Sequence, residues 1–228
     1  EFAASATLPI DEQLTQAKQL VAAKAGPDAK YIAYFQDYSN TYAPADTLRP
    51  LFLAAIDRPE ICALSIATRP DCLPPEILAL LSELRQKKPV WVELGLQTVH
   101  ASTARYIRLG YPLSIFDNAV QQLKGLDLHV IAHMILGLPG ETLEMMVQTA
   151  HHIGQSGADG IKLHLLHVLS GTDLAEEYAA GAFETMPLEA YISALESCLR
   201  VLPREMVIHR MTGDGAKRSL IAPLWSAD

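Results

Sequence analysis

Glu93 and Gln97 stand four residues apart in Val90-Trp-Val-Glu-Leu-Gly-Leu-Gln97. In an extended segment that even spacing puts both on one face with Trp91 and Gly95, and puts Val92, Leu94 and Leu96 on the other. A carboxylate and a carboxamide at the end of a strand can hold a polar ligand, although a lone strand glutamate is more often simply paired with Lys or Arg. The same alternation aligns His129 with His133 in Leu128 to Gly137, and Lys162 with His164 in Ile161 to Leu169. Burying a charge costs several kcal/mol unless it is paired or solvated. Three strands offering Glu, His and Lys therefore predict a shared polar lumen faced by Glu93, Gln97, His133 and Lys162. Lys162, desolvated, could act as the nucleophile of an aldolase-like barrel with His164 or His133 as acid/base. Pairing with Glu93 is the simpler expectation.

A second feature is His133-Met-Ile-Leu-Gly137-Leu-Pro-Gly140-Glu141-Thr142, a strand running into a glycine-bearing turn and a new helix. Glycines let backbone approach a ligand, and the helix start offers free N–H groups suited to a carboxylate, a ribose hydroxyl or a phosphate. The plain alternative is an ordinary βα turn. It is neither a Walker loop nor a dinucleotide fingerprint, since Gly-Lys-Ser/Thr and the three spaced glycines are absent. Thr68-Arg69-Pro70-Asp71-Cys72 comes after another strand and offers Thr68 and Asp71 at its rim, or merely a loop ion pair. Tyr34 to Pro44, which includes Gln36, Ser39 and Asn40, is an aromatic, amide-rich loop that can stack a purine or cover a core. His164 and His167, three apart on one strand, should point to opposite faces and so not chelate a metal. His151 and His152 belong to a helix surface.

These residues require elements to hold them. Apolar runs at Tyr31–Phe35, Ile61–Ala67, Val90–Leu96, Leu128–Leu136, Gly160–Leu169 and Met206–His209 predict six strands. Between them helical spacing recurs at Asp11–Ala25, Pro75–Lys87, Ser114–Lys124, Thr142–Gln155 and Leu188–Leu202, with Asp11 as a cap and Ser114 with Asp117 at capping-box spacing. Alternating β and α units give a parallel sheet. The polar strand faces favour an α/β partial barrel, a single domain over 1–228, over a doubly wound sheet.

Composition narrows the function. The 228 residues are 50% hydrophobic and 19% charged, which is enough apolar material for a core, and no run reaches the roughly 18 apolar residues of a membrane helix. The acidic start Glu1-Phe2 lacks a basic leader, so cytoplasm without membrane association is the expected location. A formal net charge of −8 weighs against a general affinity for nucleic-acid phosphates. Cys62, Cys72 and Cys198 show none of the close spacings of a zinc or iron-sulfur site.

Tyr34 to Pro44, Ala67 to Cys72, Trp91 to Thr98, His133 to Thr142, Gly160 to Val168 and Val207 to Asp214, in that order, resemble a radical S-adenosylmethionine (SAM) protein. They are most similar to an uncharacterised bacterial group related to elongator-type radical enzymes and oxygen-independent coproporphyrinogen oxidase. The resemblance implies a partial, incompletely closed parallel β/α barrel whose first strand and cluster loop, with a CxxxCxxC motif for a [4Fe-4S] cluster, are missing here. Phe2 to Gln13 resembles the family's segment just after the third cysteine, so the chain is expected to be truncated at its N-terminus and inert as given. The intact parent is then an enzyme that takes an electron from a donor and generates a 5′-deoxyadenosyl radical on an unknown substrate, tRNA being one candidate. A non-catalytic binding module is the remaining alternative.

Carried over by resemblance, the SAM-binding positions are Gln36, Asn40, Thr68, Asp71, Glu93, Gln97, His133, Gly137, Gly140, Glu141 and His164, and no residue is assigned to metal. Where the family usually has Asn-Arg-Gly-His, this chain has Tyr106-Ile-Arg108-Leu109-Gly110-Tyr111, so the arginine expected near the carboxylate becomes Leu109 or is displaced to Arg108.

Overall fold

The computed structural model describes residues 8–26, 28–213 and 217–227; the Glu1-Phe2 start, the first part of Phe2 to Gln13, and Asp214 lie outside them. In chain order the elements are α1 (Ile10–Val21), β1 (Tyr31–Phe35), α2 (Ala45–Ile56), β2 (Ile61–Thr68), α3 (Pro75–Arg85) and β3 (Val90–Gln97). Next come α4 (Ala101–Tyr106), α5 (Leu113–Gly125), β4 (His129–Leu136), α6 (Leu143–Gln155), β5 (Gly160–Leu165) and β6 (Val168–Leu169). The chain continues through α7 (Asp173–Ala179), α8 (Leu188–Arg200), β7 (Val207–Arg210), β8 (Leu220–Ala222) and a 3₁₀ turn over Leu224–Ala227. Six strands form one sheet in the order β1-β2-β3-β4-β5-β7, with parallel pairing of β1 to β2, β2 to β3, β4 to β5 and β5 to β7. This is the partial parallel β/α barrel that the alternation requires, its end strands β1 and β7 unpaired with each other.

Gly160 to Leu169 is not one strand. It ends at Leu165, and Val168–Leu169 pairs antiparallel with β8 in a separate two-stranded sheet. That small sheet has its own apolar centre of Val168, Ala175 and Ala222, packed by Leu174, Tyr178 and Phe183.

Helix starts also differ from expectation. Four helices begin directly after a proline at the cap, Pro9, Pro44, Pro74 and Pro187, without a side-chain cap bond. Proline's fixed φ and missing N–H suit a helix entrance, so it substitutes for the polar cap. Asp11 therefore lies in the first turn of α1 and reaches Arg58 at 2.9 Å. Ser114 lies inside α5, and its supposed capping partner Asp117 instead meets His152 at 2.7 Å. His151 is exposed as expected but His152 is only half-buried surface, fixed by that contact.

The described residues fall into two compact units, within Glu1–Gly95 and Asn118–Val130 and within Leu96–Asp117 and Ile131–Asp228. In the first, Phe52, Ile56, Leu64, Ile66, Ile77 and Leu80 are almost wholly buried, and Phe35 meets Phe52 edge-on at 4.9 Å. In the second, α6 buries Met146, Ala150 and Ile153 while α8 buries Tyr191, Ala194 and Cys198. Gly154 permits the close approach there, because a Cβ on it would come within 2.8 Å of Pro203 Cδ.

Candidate functional site

In the first unit, period-two alternation sends Glu93 to the face where Ser65 and Tyr34 also point. Ser65 Oγ donates to Glu93 Oε1 at 2.5 Å and Tyr34 Oη donates to Oε2 at 2.9 Å. Tyr34 and Ser65 are register partners on β1 and β2, and Glu93, whose own partner on β2 is Ala67, reaches both from two residues further along β3. Glu93 is 3% exposed, and a carboxylate that deep is tolerable because each oxygen accepts a short hydrogen bond. Sequence alone finds Glu93 and misses its two donors. Their register, which depends on strand pairing, is the signal that was not available.

Beyond these strand ends, Asn40 and Thr68 join two loops. The Asn40 amide donates to the carbonyls of Phe35 and Ala67 at 3.1 and 2.9 Å, and its backbone N–H also donates to Ala67 at 3.1 Å. Thr41 Oγ1 donates to the Cys72 carbonyl at 2.5 Å and lies 2.5 Å from Thr68 Oγ1, which leaves Thr68 as the donor between the hydroxyls. Asp71 is held by Arg69 at 2.7 and 2.9 Å, and that guanidinium keeps its carboxyl below the usual range. The loop ion pair is therefore formed. Gln36 is half-buried just before Asp37 and Tyr38, whose φ values of 67° and 57° are left-handed. Tyr38 and Tyr42 are 98% and 83% exposed, so this aromatic loop does not cover a core.

In the second unit, β3 ends in a strained turn. Thr98 N–H donates to the Leu96 carbonyl at 2.8 Å, and Gln97 between them has φ 64°. A three-residue turn with positive central φ is rare for a side-chain-bearing residue, and such strain concentrates where side chains must be aimed. Thr98, 2% exposed, then donates to Glu141 of the glycine turn and accepts from the His100 N–H at 3.1 Å. Thr98 was not singled out by type or spacing, yet it ties the end of β3 to the turn after β4.

That turn has Gly137 at φ 83° and Gly140 at φ 80°. Gly137 N–H points to Met146 Sδ at 3.3 Å, and a Cβ on Gly137 would lie 3.5 Å from Met186 Cβ. A Cβ on Gly140 would meet nothing within 4 Å, so the second glycine faces open space. Thr142 caps α6, its hydroxyl accepting from Met145 N–H at 3.3 Å.

On β4 and β5, His133 and Lys162 are register partners, and the His133 and His164 rings lie 5.0 Å apart. His167 does not turn away from His164. Because the strand stops at Leu165, both rings converge on Gly213, where a Cβ would lie 3.5 Å from His164 Nδ1 and 3.5 Å from His167 Cε1. His167 Nε2 also meets Ser226 Oγ at 3.1 Å. Among the described residues no group of three or more His, Cys, Asp or Glu is placed to hold a metal ion.

The stretch that departs from Asn-Arg-Gly-His closes α4. Leu109 N–H donates to the Ala104 carbonyl at 2.9 Å and Arg108 N–H to Arg105 at 3.1 Å, with Arg108 at φ 55°. This is the paired terminal bonding of a Schellman motif, with arginine at the position that favours glycine. The Arg108 guanidinium goes to Asp173 at 2.6 Å, and Tyr106 Oη donates to Glu177. Burial, then the Glu177 carboxylate, push the Tyr106 phenol up to about 12.

Two family models cover this chain: the Radical SAM superfamily over residues 4–153, and the Radical_SAM C-terminal domain over residues 158–228. The chain belongs to the radical SAM superfamily. It is 41% identical over 201 residues to "Uncharacterized protein YtqA" of Bacillus subtilis, covering 88% of this chain and 62% of that protein. "Protein YhcC" of Escherichia coli is 37% identical over 217 residues, covering 95% of this chain and 69% of that one. A "tRNA uridine(34) acetyltransferase" of Methanocaldococcus jannaschii is 28% identical over 156 residues, covering 67% of this chain and 28% of that protein. Among solved structures, Elp3 of Methanocaldococcus infernus superposes with a TM-score of 0.80 at 20% identity, over 93% of this chain and 55% of that one. The chain thus spans about two thirds of the length of the bacterial relatives.

Radical SAM proteins use SAM and a [4Fe-4S] cluster, and the side chains fit the two unequally. The open glycine turn, the capped helix start and the strained Gln97 suit a nucleoside-bearing cofactor. The cysteines do not suit a cluster: Cys72 and Cys198 are buried, Cys62 is exposed, and burial pushes the Cys198 thiol up to about 11, away from the thiolate that iron requires. No helix among the described residues is long and apolar enough to cross a membrane.

Proposed function

We propose that this chain is the SAM-binding barrel of a radical enzyme and that its cluster ligands come from outside these 228 residues. The observation that carries the proposal is the turn from Gly137 to Thr142, with two left-handed glycines, open space over Gly140 and a capped helix behind it. One-electron cleavage of the sulfonium is the chemistry that cluster and cofactor supply together when bound. The chain's own residues bind and orient. Backbone N–H groups at the start of α6 receive polar oxygens of the nucleoside, and Gln97 is aimed by its turn. Thr98 and Glu141 keep that turn in place. His133 and His164, in the same unit, complete that assignment; within the other unit Gln36 is proposed as a cofactor contact, and Asn40, Thr68 and Asp71 as residues that order its loops.

Without chelation of the methionine end, the remaining contacts are each worth about 1 kcal/mol net. Calorimetry should give millimolar affinity for SAM, roughly 4 kcal/mol. Gly140→Asn, which tolerates positive φ but fills the open space, should weaken it further. Affinity unchanged by that substitution would remove the turn from the site. Reduction with dithionite should release no 5′-deoxyadenosine from this chain alone.

For the substrate we carry forward tRNA, supported by the likeness to a tRNA uridine(34) acetyltransferase. A formal net charge of −8 gives the chain as a whole no electrostatic footprint for RNA. Gel-shift titration of the chain, joined to a cluster-binding segment, with tRNA and with an unrelated polyanion tests it, and equal binding of both would set tRNA aside. An electron donor is the further partner that this reading requires.

A further inference from the structure

The second unit contains a cavity of about 320 Å³ that shares only the Thr98 wall with the proposed cofactor site, lined also by Leu96, Ala101, Ala104, Arg105, Leu109 and Tyr111. Leu96 belongs to the face of β3 opposite Glu93 and Gln97. The cavity arises from local structure. Helix α4 has only six residues and closes in the Schellman turn at Arg108, so the chain crosses Gly110 at φ 88° before α5 begins. Ala101 and Ala104 do not fill the space that this detour leaves, while Leu96 and Tyr111 are 1% and 9% exposed and form solid walls. Interiors normally close such volumes, and an apolar cavity of this size with few polar groups has the dimensions of a ligand pocket.

Polar groups decide the ligand class. Thr98, also in the wall, already donates its hydroxyl to Glu141. Arg108 is occupied by Asp173. Arg105 is the charged side chain of the lining and is exposed, with no ion pair or side-chain hydrogen bond to the described residues. We infer that this cavity binds a small amphipathic anion, a short-chain or aryl carboxylate whose apolar body lies against Leu96, Leu109 and Tyr111 while its charge meets Arg105. A bidentate guanidinium–carboxylate contact at the mouth of an apolar pocket supplies orientation, and burial of the body supplies most of the affinity.

The test uses the 228-residue chain, with octanoate and its neutral counterpart octanol as probes in calorimetry. Octanoate should bind about tenfold more tightly than octanol, Arg105→Gln should erase that difference, and Ala104→Trp should abolish binding of both. Circular dichroism melting of each variant separates a lost site from a lost fold, and Arg105→Gln, at an exposed position, leaves the core untouched. Four results would overturn the inference: no octanoate binding at millimolar concentration, equal binding of octanoate and octanol, binding that survives Ala104→Trp, or displacement of octanoate by SAM. The last would make the cavity part of the cofactor site. Failure of SAM to bind at Gly140 leaves the octanoate result unaffected, so the two proposals fail separately.

Discussion

Gln97 and Glu93 share a strand face but are built for different tasks. Gln97 has φ 64°, which for a residue with a Cβ costs of order 1–3 kcal/mol. Gln97→Gly removes that strain, so thermal stability should hold or rise while SAM affinity falls. A lower melting temperature would show that the glutamine is structural. Glu93, by contrast, accepts from Ser65 and Tyr34 in a buried setting. Glu93→Gln puts an amide donor where a hydroxyl also donates, and should destabilise the chain by about 1–3 kcal/mol in urea unfolding. A neutral result would mean that the hydroxyls turn away without cost. Both positions were legible because strand alternation needs no partner. Tyr34, Ser65 and Thr98 were not, since their importance arises from register and from a turn that brings Glu141 to Thr98.

At the scale of elements, the six main strands could be read from apolar runs, whereas short or irregular pieces could not. Helix α4 has six residues and α7 seven, too few to show a period, and α2 contains Pro50, which sequence reading treats as a breaker. The division of Gly160 to Leu169 is marked by the pairing of Val168–Leu169 with β8, which follows only after α7, α8 and β7 and so leaves no local signal. Close packing at Gly160 offers a direct check. A Cβ there would lie 2.6 Å from His209 Cδ2 and 3.0 Å from the Val207 carbonyl, so Gly160→Ala must push β7 from β5. The expected loss is about 1–3 kcal/mol by chemical denaturation, and unchanged stability would mean that His209 moves freely. Acid should loosen a different element. Lys18, with help from Arg58, holds Glu60 at a pKa of about 2, below its ordinary 4.5. A depressed carboxyl pKa gives stability that is present above the unfolded value and is lost as pH falls from about 4.5 towards about 2. Carbon-detected NMR titration of Glu60 should show that midpoint, and the hydrogen-exchange protection factors of α1 amides, corrected for intrinsic rate, should fall over the same interval. A Glu60 midpoint near 4.5 would mean that the Lys18 contact is not maintained in solution.

For the whole molecule, fold and family were legible from ordered blocks spread along the chain, because each block lies on or directly after one of the six main strands, where backbone geometry restricts the residue types. Cluster chemistry is where the cysteine inventory of this chain and the needs of its family part. A [4Fe-4S] cluster takes thiolate ligands brought to one point, usually by close sequence spacing. Here the cysteines stand at 62, 72 and 198, and two of the three are buried. Burial raises both buried thiols, Cys198 to about 11, so near neutral pH they remain protonated. Cys72 is further disfavoured as a thiolate by the neighbouring Asp71 carboxylate. Anaerobic reconstitution of this chain with ferrous iron and sulfide should therefore leave it colourless after desalting. Replacing Cys72 and Cys198 by Ala should change the retained iron little. Fusing a segment with the CxxxCxxC motif ahead of residue 1 should restore the brown colour and raise SAM affinity from millimolar towards micromolar, about 4 kcal/mol. A brown product from the unmodified chain would show that Cys62, Cys72 and Cys198 can ligate iron, and would overturn the placement of the cluster ligands outside these residues.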